Sequence, residues 1–498
     1  MAPKAKKKDN KNVENTKVEK KSQSSAGSNC NTNQRLGRVL VISIAVLLPI
    51  VAIALKVYLD VTTVPDLPKV DLDEWWGPTN AKTKTTDTSI RKFRVMFSDG
   101  MLEGMRRKSD AYRRVTYTKS MKSVNETWAY GVNSDTFAQI FAHWQFKYKN
   151  RDQARFLNKF DHFKTIIQGL DIHFLHVKPK VASNVKVLPL LLIHGWPGSI
   201  REFYEAIPLL TTERPGYDFV FEVIVPSLPG FVYSQAPVRP GLNPFKIAII
   251  LRNLMNRLGF ERFYVQGGDL GHLIGSHIAT IFPEQVLGFH TNFPVNLSKH
   301  ADLTWILGAI WPSLVAKENV HKLYPLSDKV SHMLEETGYL HLQGTKPDTI
   351  GIILQDSPVG LLAYTLDRFL MFTNPENKNL EDGGLSKFSS SSIIDNVMLY
   401  WSTNSITTAL RLYKEIFKSY DLEQTLARIP TPVPTWGLRV KHEFFHSPDF
   451  VLRWKYPNLI GTTNLSIGGR YAAFEIPPEF SSDIFKAVQA FEKYNSAN

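Results

Sequence analysis

Cysteine is almost missing from this 498-residue chain: Cys30 is the single copy. No intrachain disulfide can form, and no cysteine framework argues for secretion. Acidic residues are scarce at the start. Residues 1–38 carry eight Lys and two Arg against three acids, which accounts for +7 of the net charge of +13. The basic character is therefore mainly a tail property. It argues for a solvated or membrane-proximal arm and gives little support to nucleic-acid binding, which is not expected. Large apolar residues are nearly absent from residues 1–34, so residues 1–38 are expected to be a disordered basic tail. Charge is absent from Val39–Leu55. With Val57-Tyr58-Leu59 beyond Lys56, this run has about the length that a bilayer span needs. Pro49 is tolerable in a membrane helix. A single retained anchor over 39–59 is expected, not a cleaved signal peptide, since no small-x-small site follows cleanly.

Lys20, Lys21, Arg35 and Arg38 upstream outnumber Lys56 and Lys69 downstream. The positive-inside tendency then puts the main part of the chain in the lumen. There Asn125, Asn296 and Asn464 would head glycan-acceptor triplets. Residues 60–74, with Pro65 and Pro68, read as a linker. Trp75-Trp76-Gly77-Pro78 opens a segment, 75–184, that looks mostly helical and aromatic and is expected to wrap a core.

The remaining sequence, in a chain 43% hydrophobic and 12% aromatic, supplies a large core. Val187–Ile193 and Phe219–Val225 are continuous apolar runs, as in buried parallel strands. Pro244–Leu258 has the spacing of an amphipathic helix, with Pro near its first turn and Gly259 past its end. Val286–His290 is a further strand. Alternating strands and helices imply an α/β fold with a mostly parallel, doubly wound sheet over 185–294. Residues 295–428 read as a helical lid. The core resumes over 429–498, with strands at Thr431–Leu438 and Asn458–Ile467 and a helix at Pro477–Tyr494.

One stretch organises the rest. Val265-Gln266-Gly267-Gly268-Asp269-Leu270-Gly271 joins an apolar strand to a helical pattern from His272 to Ile281. A strand, a sharp glycine-bracketed turn and a helix, with a nucleophile at the apex, is the nucleophile elbow of the α/β-hydrolases. The apex here is an acid. A carboxylate there can attack carbon and form an ester. Upstream, His194-Gly195-Trp196-Pro197-Gly198-Ser199 follows a strand directly. A loop at that point supplies one oxyanion-hole amide, here that of Trp196, and the residue after the nucleophile, Leu270, supplies the other.

From about Trp75 onward the chain resembles the microsomal-type epoxide hydrolases, including the juvenile-hormone epoxide hydrolases. The resemblance rests on Trp75-Trp76-Gly77-Pro78, His162-Phe163-Lys164-Thr165, Gly169-Leu170-Asp171-Ile172-His173-Phe174 and the His194–Ser199 motif. It extends to Asp356-Ser357-Pro358-Val359-Gly360-Leu361, Leu380-Glu381-Asp382-Gly383-Gly384-Leu385, Tyr456-Pro457 and Gly468-Gly469. It implies an α/β-hydrolase fold with a helical cap and an N-terminal wrapping segment. It implies that Asp269 opens a lipophilic epoxide, that Tyr339 and Tyr413 donate hydrogen bonds to the ring oxygen, and that Glu443 orients a base. It implies no cofactor and no metal. It places the protein in the endoplasmic reticulum membrane with the hydrolase domain facing the cytosol, against the charge count, so the facing stays open.

The base itself is missing. Where the family has Gly-Gly-His, this chain has Gly468-Gly469-Arg470, followed by Tyr471-Ala472-Ala473-Phe474. Arginine stays protonated and cannot accept a proton. Arg470 should lie near Asp269 and Glu443, where an ion pair would be favourable. Leu270 is a second departure, since the family usually has Trp there. His442 and His446 flank Glu443 on the acid's loop, a poor place for a substitute base. The expectation is an epoxide hydrolase impaired in releasing its ester. The alternative is an inactive member that binds lipophilic ligands or a protein partner at the membrane. Dehalogenase chemistry is disfavoured because Leu270 offers no indole donor.

Overall fold

The computed structural model describes residues 28–79, 87–113, 119, 127–182, 184–312, 315 and 320–497. Residues 1–27 of the expected tail, and Asn125 of the glycan triplets, lie outside the described residues. The chain divides into two compact units, residues 1–63 and residues 64–498.

The first unit is a helix, Ser28–Thr62, with Pro49 inside it. It starts within the stretch expected to be disordered, because low hydrophobicity removes burial but not local helical hydrogen bonds. Among the described residues no single helix is long and apolar enough to cross a membrane, and the apolar part of this one is Val41–Ile53.

The second unit is built on one sheet. Its strands are β1 (Arg91–Phe93), β2 (His162–Ile167), β3 (Leu170–Val177), β4 (Lys186–Ile193), β5 (Phe219–Pro226), β6 (Phe263–Gly267), β7 (Val286–Thr291), β8 (Thr435–Arg439) and β9 (Leu459–Asn464). The order is β1-β2-β3-β5-β4-β6-β7-β8-β9. From β5 through β9 every pairing is parallel, and β1, β2, β3 and β5 pair antiparallel. The inner strands are apolar on both faces because helices cover both. Leu190–Ile193, Val223–Val225 and Phe263–Val265 are all buried. The C-terminal helix, Pro477–Ala497, buries Phe480, Ile484, Phe485, Val488 and Phe491 against this sheet. Each such side chain stabilises by roughly 1.5–3 kcal/mol.

The wrapping segment corrects the sequence reading, which took it as mostly helical. It contributes β1, β2 and β3 as well as the helices Asp99–Arg113, Ser134–Phe146 and Asn150–Leu157. β2 and β3 form a hairpin whose turn residues, Gln168 and Gly169, have φ of 47° and 82°. Positive φ at both turn positions matches the twist of a tight hairpin. The sequence reading followed the recurrence of aromatics from Tyr130 to Phe174 and passed over the alternation Leu170-Asp171-Ile172-His173-Phe174.

The lid region is helical as expected, with Gly338–Thr345, Pro347–Asp356, Pro358–Thr373, Ser390–Ser402 and Ile406–Lys418 as its main pieces. The wrapping segment straps it down. Thr127 Oγ1 donates to Leu380 O at 2.7 Å, Thr136 Oγ1 to Glu381 O at 2.6 Å, and Tyr148 Oη to Asp395 Oδ1 at 2.8 Å. Asp395 also accepts from Arg201 Nε at 3.1 Å, which ties the lid to the sheet.

Candidate active site

Asp269 stands at the end of β6 and caps the helix Leu270–Ile281. Its φ is 51° and its ψ −126°, a conformation that only a tight, well-supported turn maintains. The glycines around it are required by contact. A side-chain carbon on Gly271 would lie 2.1 Å from Ile193 O, and one on Gly267 would lie 2.1 Å from Gly271 O. The elbow is thus pressed directly onto the end of β4.

The loop after β4 brings its amide to Asp269. Trp196 N donates to Asp269 Oδ1 at 3.1 Å. His194 supports the loop from behind. Its Nε2 accepts from Leu228 N at 3.2 Å, which leaves the proton on Nδ1 to be donated to Gly195 O at 2.8 Å. Burial pushes this imidazole down to about 4, so it stays neutral. His194 therefore holds the loop's shape rather than meeting a substrate. The Trp196–Pro197 bond is cis. Leu270 is buried at the first helical residue after Asp269.

Arg470 reaches both acids. Its Nε donates to Glu443 Oε2 at 3.0 Å, its Nη2 to Glu443 Oε1 at 2.7 Å, and its Nη1 to Asp269 Oδ2 at 3.1 Å. The side chain is 6% exposed, Glu443 6% and Asp269 13%. The guanidinium lies over the rings of Phe372, Phe293 and Phe445 at 4.3, 4.7 and 5.7 Å. Burial disfavours its charge, but Glu443 and then Asp269 outweigh that and hold it more firmly protonated than an ordinary arginine. The expected ion pair is therefore present as a fork on Glu443 with a third bond to Asp269.

Tyr339 and Tyr413 come from two lid helices, Gly338–Thr345 and Ile406–Lys418. Tyr339 stacks on Trp196 at 5.7 Å and 16°, and Tyr413 meets the same indole edge-on at 5.7 Å and 84°. The two rings are 6.3 Å apart. Burial raises both phenols, and Asp269 adds to the rise in each. Both therefore keep their protons for hydrogen bonding.

The adjoining cleft, about 480 Å³ of empty space, is lined by apolar side chains such as Met333, Leu340, Met371 and Phe444, and by Tyr339, Glu443 and Arg470. Asp269 does not line it. Arg470 both lines the cleft and bonds Asp269. His442 opens onto the cleft, and burial lowers its pKa. His446 is buried on the same loop.

Sequence reasoning missed several supports. Asn292 bridges Gln266 Nε2, which donates to its Oδ1 at 2.8 Å, and Arg470 O, to which its Nδ2 donates at 2.9 Å. Tyr400 Oη donates to Gly198 O at 2.5 Å, and Asn396 Nδ2 donates to Pro197 O. The aromatic cage of Phe293, Phe372 and Phe445 was equally invisible, since it is drawn from three distant segments. Asn296 of the glycan triplets is buried, donating through Nδ2 to Val451 O at 2.9 Å, so it corrects the acceptor reading. Asn464 is exposed.

Comparisons with known proteins agree with this geometry. Residues 90–203 match the family described as the epoxide hydrolase N terminus, and residues 189–331 the alpha/beta hydrolase fold. The juvenile hormone epoxide hydrolase of Bombyx mori is 47% identical over 431 residues, covering 86% of this chain and 92% of the relative. Epoxide hydrolase 1 of Oryctolagus cuniculus is 41% identical over 429 residues, covering 84% and 93%. The crystal structure of the Bombyx mori enzyme superposes with a TM-score of 0.82 and covers 86% of this chain and all of its own. The Aspergillus niger epoxide hydrolase, 24% identical with a TM-score of 0.66, shares the fold. By motif, family match and near full-length similarity, this chain belongs to the microsomal-type epoxide hydrolases, the family that includes the juvenile hormone epoxide hydrolases.

Proposed function

We propose that the protein is a membrane-anchored epoxide hydrolase that completes the first half of its reaction and stalls on the second. Asp269 attacks an epoxide carbon of a lipophilic substrate, and Tyr339 and Tyr413 stabilise the developing alkoxide. The Trp196 amide, together with that of Leu270, steadies the acyl oxygen of the resulting ester. Hydrolysis of that ester is slow because Arg470 stands where a histidine base is needed. Loss of a positioned base typically removes ~10²–10⁴-fold of rate. The observation that carries the reading is the Arg470 fork on Glu443, which engages the orienting acid with a group that cannot take a proton. The residues 39–59 helix serves as the anchor, in the endoplasmic reticulum membrane. The apolar cleft suits a lipophilic substrate.

The test is incubation with a lipophilic epoxide followed by intact-mass analysis. A long-lived adduct on Asp269 with little diol supports the proposal. Fast multiple-turnover release of diol refutes it.

A second reading has one specific observation in its favour. Arg470 Nη1 occupies Asp269 Oδ2, the oxygen left open by the Trp196 amide. A nucleophile so paired is less reactive, and the guanidinium blocks its approach from the cleft. In that reading the chain binds lipophilic ligands without opening them, and neither adduct nor diol is formed.

A further inference from the structure

Glu202 is a buried carboxyl that the reaction above leaves unused. It lies in the short turn Ile200–Phe203, which follows the oxyanion loop. The Gly195 amide donates to it. Its Oε2 is fully enclosed and meets no donor among the described residues. That oxygen rests against Gly198: a side-chain carbon there would lie 2.6 Å from it. A side-chain carbon on Gly195, in the same loop, would lie 2.6 Å from Asp269 Oδ1. Both carboxyls thus abut the Gly195–Gly198 backbone, and a small cavity beside it is lined by Glu202, Gly198, Asn396 and Tyr471.

Other acceptors near the nucleophile are occupied. Both oxygens of Glu443 take Arg470. Both oxygens of Glu475 accept from Gly469 N, at 3.2 and 3.1 Å. Arg201, beside Glu202, spends its guanidinium on Glu205 and Asp395. The ionisable groups that act on Glu202 from neighbouring elements are Asp269 and Glu475, with the phenols of Tyr400 and Tyr471 close by. Burial, then the charge of Asp269, pushes Glu202 up to about 8. A carboxylate of that basicity is far better matched to taking a proton from water near neutral pH than an ordinary one.

We propose that Glu202 is the general base for hydrolysis of the Asp269 ester in this chain, acting through one water at the oxyanion loop. This rests on the ester reading above. The water O–H bond breaks and its proton goes to Glu202 Oε2, while the water oxygen bonds to Asp269 Cγ. Collapse of the tetrahedral intermediate breaks the bond from Cγ to the product oxygen. That alkoxide recovers the proton from Glu202, the diol leaves neutral, and Asp269 ionises to solvent.

The experiment uses the full chain in detergent with 1,2-epoxydodecane, at pH 6 to 10. Adduct is followed by intact mass and diol by its release after a single turnover. Expected is an adduct whose decay quickens with pH and levels off once Glu202 is ionised, at a lower pH than in the free enzyme, because burial still raises this carboxyl but the esterified Asp269 no longer carries the charge that adds to the rise. E202Q, which keeps the acceptor for Gly195 N, should form adduct at the unchanged rate. Its decay should be ~10²-fold slower and lose the pH dependence. E202D, the second variant, should keep a pH-dependent decay with a displaced midpoint. Wild-type decay and profile in E202Q, or in E202D should E202Q not fold, overturn the role of Glu202 alone. Absence of any adduct at all pH values overturns the ester reading and this inference together.

Discussion

The Arg470→His substitution removes a guanidinium that holds two buried carboxylates and puts a titratable base in its place. Three charge-assisted bonds are lost, two to Glu443 and one to Asp269. Deleting one partner of a buried ion pair typically costs about 3–5 kcal/mol. An imidazole restores one bond to Glu443, so the net cost should be about 2–3 kcal/mol. For a unit of this size that corresponds to a Tm lower by about 2–3 °C. The kinetic effect runs the other way. A positioned base is worth ~10²–10⁴-fold, all of it in release of the ester. Removal of Nη1 from Asp269 Oδ2 should also quicken adduct formation. The assay is rapid quench followed by intact mass, which separates the two steps, with diol release measured in parallel. The variant should show a transient adduct where the wild type shows a persistent one. Its release should rise with pH through the ordinary histidine range, near about 6.5. A folded Arg470→His variant that releases diol no faster than wild type would refute the claim that this side chain limits the cycle.

Other substitutions test the remaining parts. Tyr339→Phe and Tyr413→Phe should each slow adduct formation by ~10²-fold, measured as adduct mass against time, since each removes a donor to the alkoxide. Gly195→Ala places a carbon 2.5 Å from Asp269 Cβ and 2.6 Å from its Oδ1, so adduct formation should cease and thermal melting should report a loss of about 1–3 kcal/mol. Asp395→Asn weakens the tie between lid and sheet. Arg201 keeps Glu205, so calorimetry should register about 2 kcal/mol of destabilisation. Glu202 and Glu475 are pushed up by burial to about 8 and about 7. Both are raised above their unfolded values, so the stability they carry is present below about pH 4.5 and is lost as pH rises through about 7–8. Chemical denaturation should show stability falling over that range by up to about 1.4 kcal/mol per pH unit for each group, with a shallower slope in Glu202→Gln.

The candidate site was legible where chemistry is written in contiguous residues. The elbow, the His194–Ser199 loop and the Gly468-Gly469-Arg470 run are short motifs, and the structure brings them together around Asp269. The parallel strands were legible for a related reason: burial on both faces leaves continuous apolar runs such as Leu190–Ile193. What failed was governed by other forces. β1 to β3 were misread because the aromatics recurring through the whole segment outweighed the short alternation Leu170–Phe174 in the reading. Glu202 carried no signal at all. Its neighbours, Gly195, Gly198, Asn396 and Tyr471, are drawn together only by the fold, and an acid in a helical turn is ordinarily solvated.

The backbone around Arg470 has a consequence for descent. Arg470 N donates to Phe372 O at 2.8 Å, its carbonyl accepts from Asn292, and Gly469 lies against Thr373 O. The backbone of this position is held by main-chain atoms and neighbouring residues, none of them bonded through the Arg470 side chain. Histidine and arginine codons can differ by a single base. If the proposed function holds, a lineage with this backbone passes between turnover and capture of an electrophile in one mutational step, at the cost in stability worked out above and with the main chain unchanged.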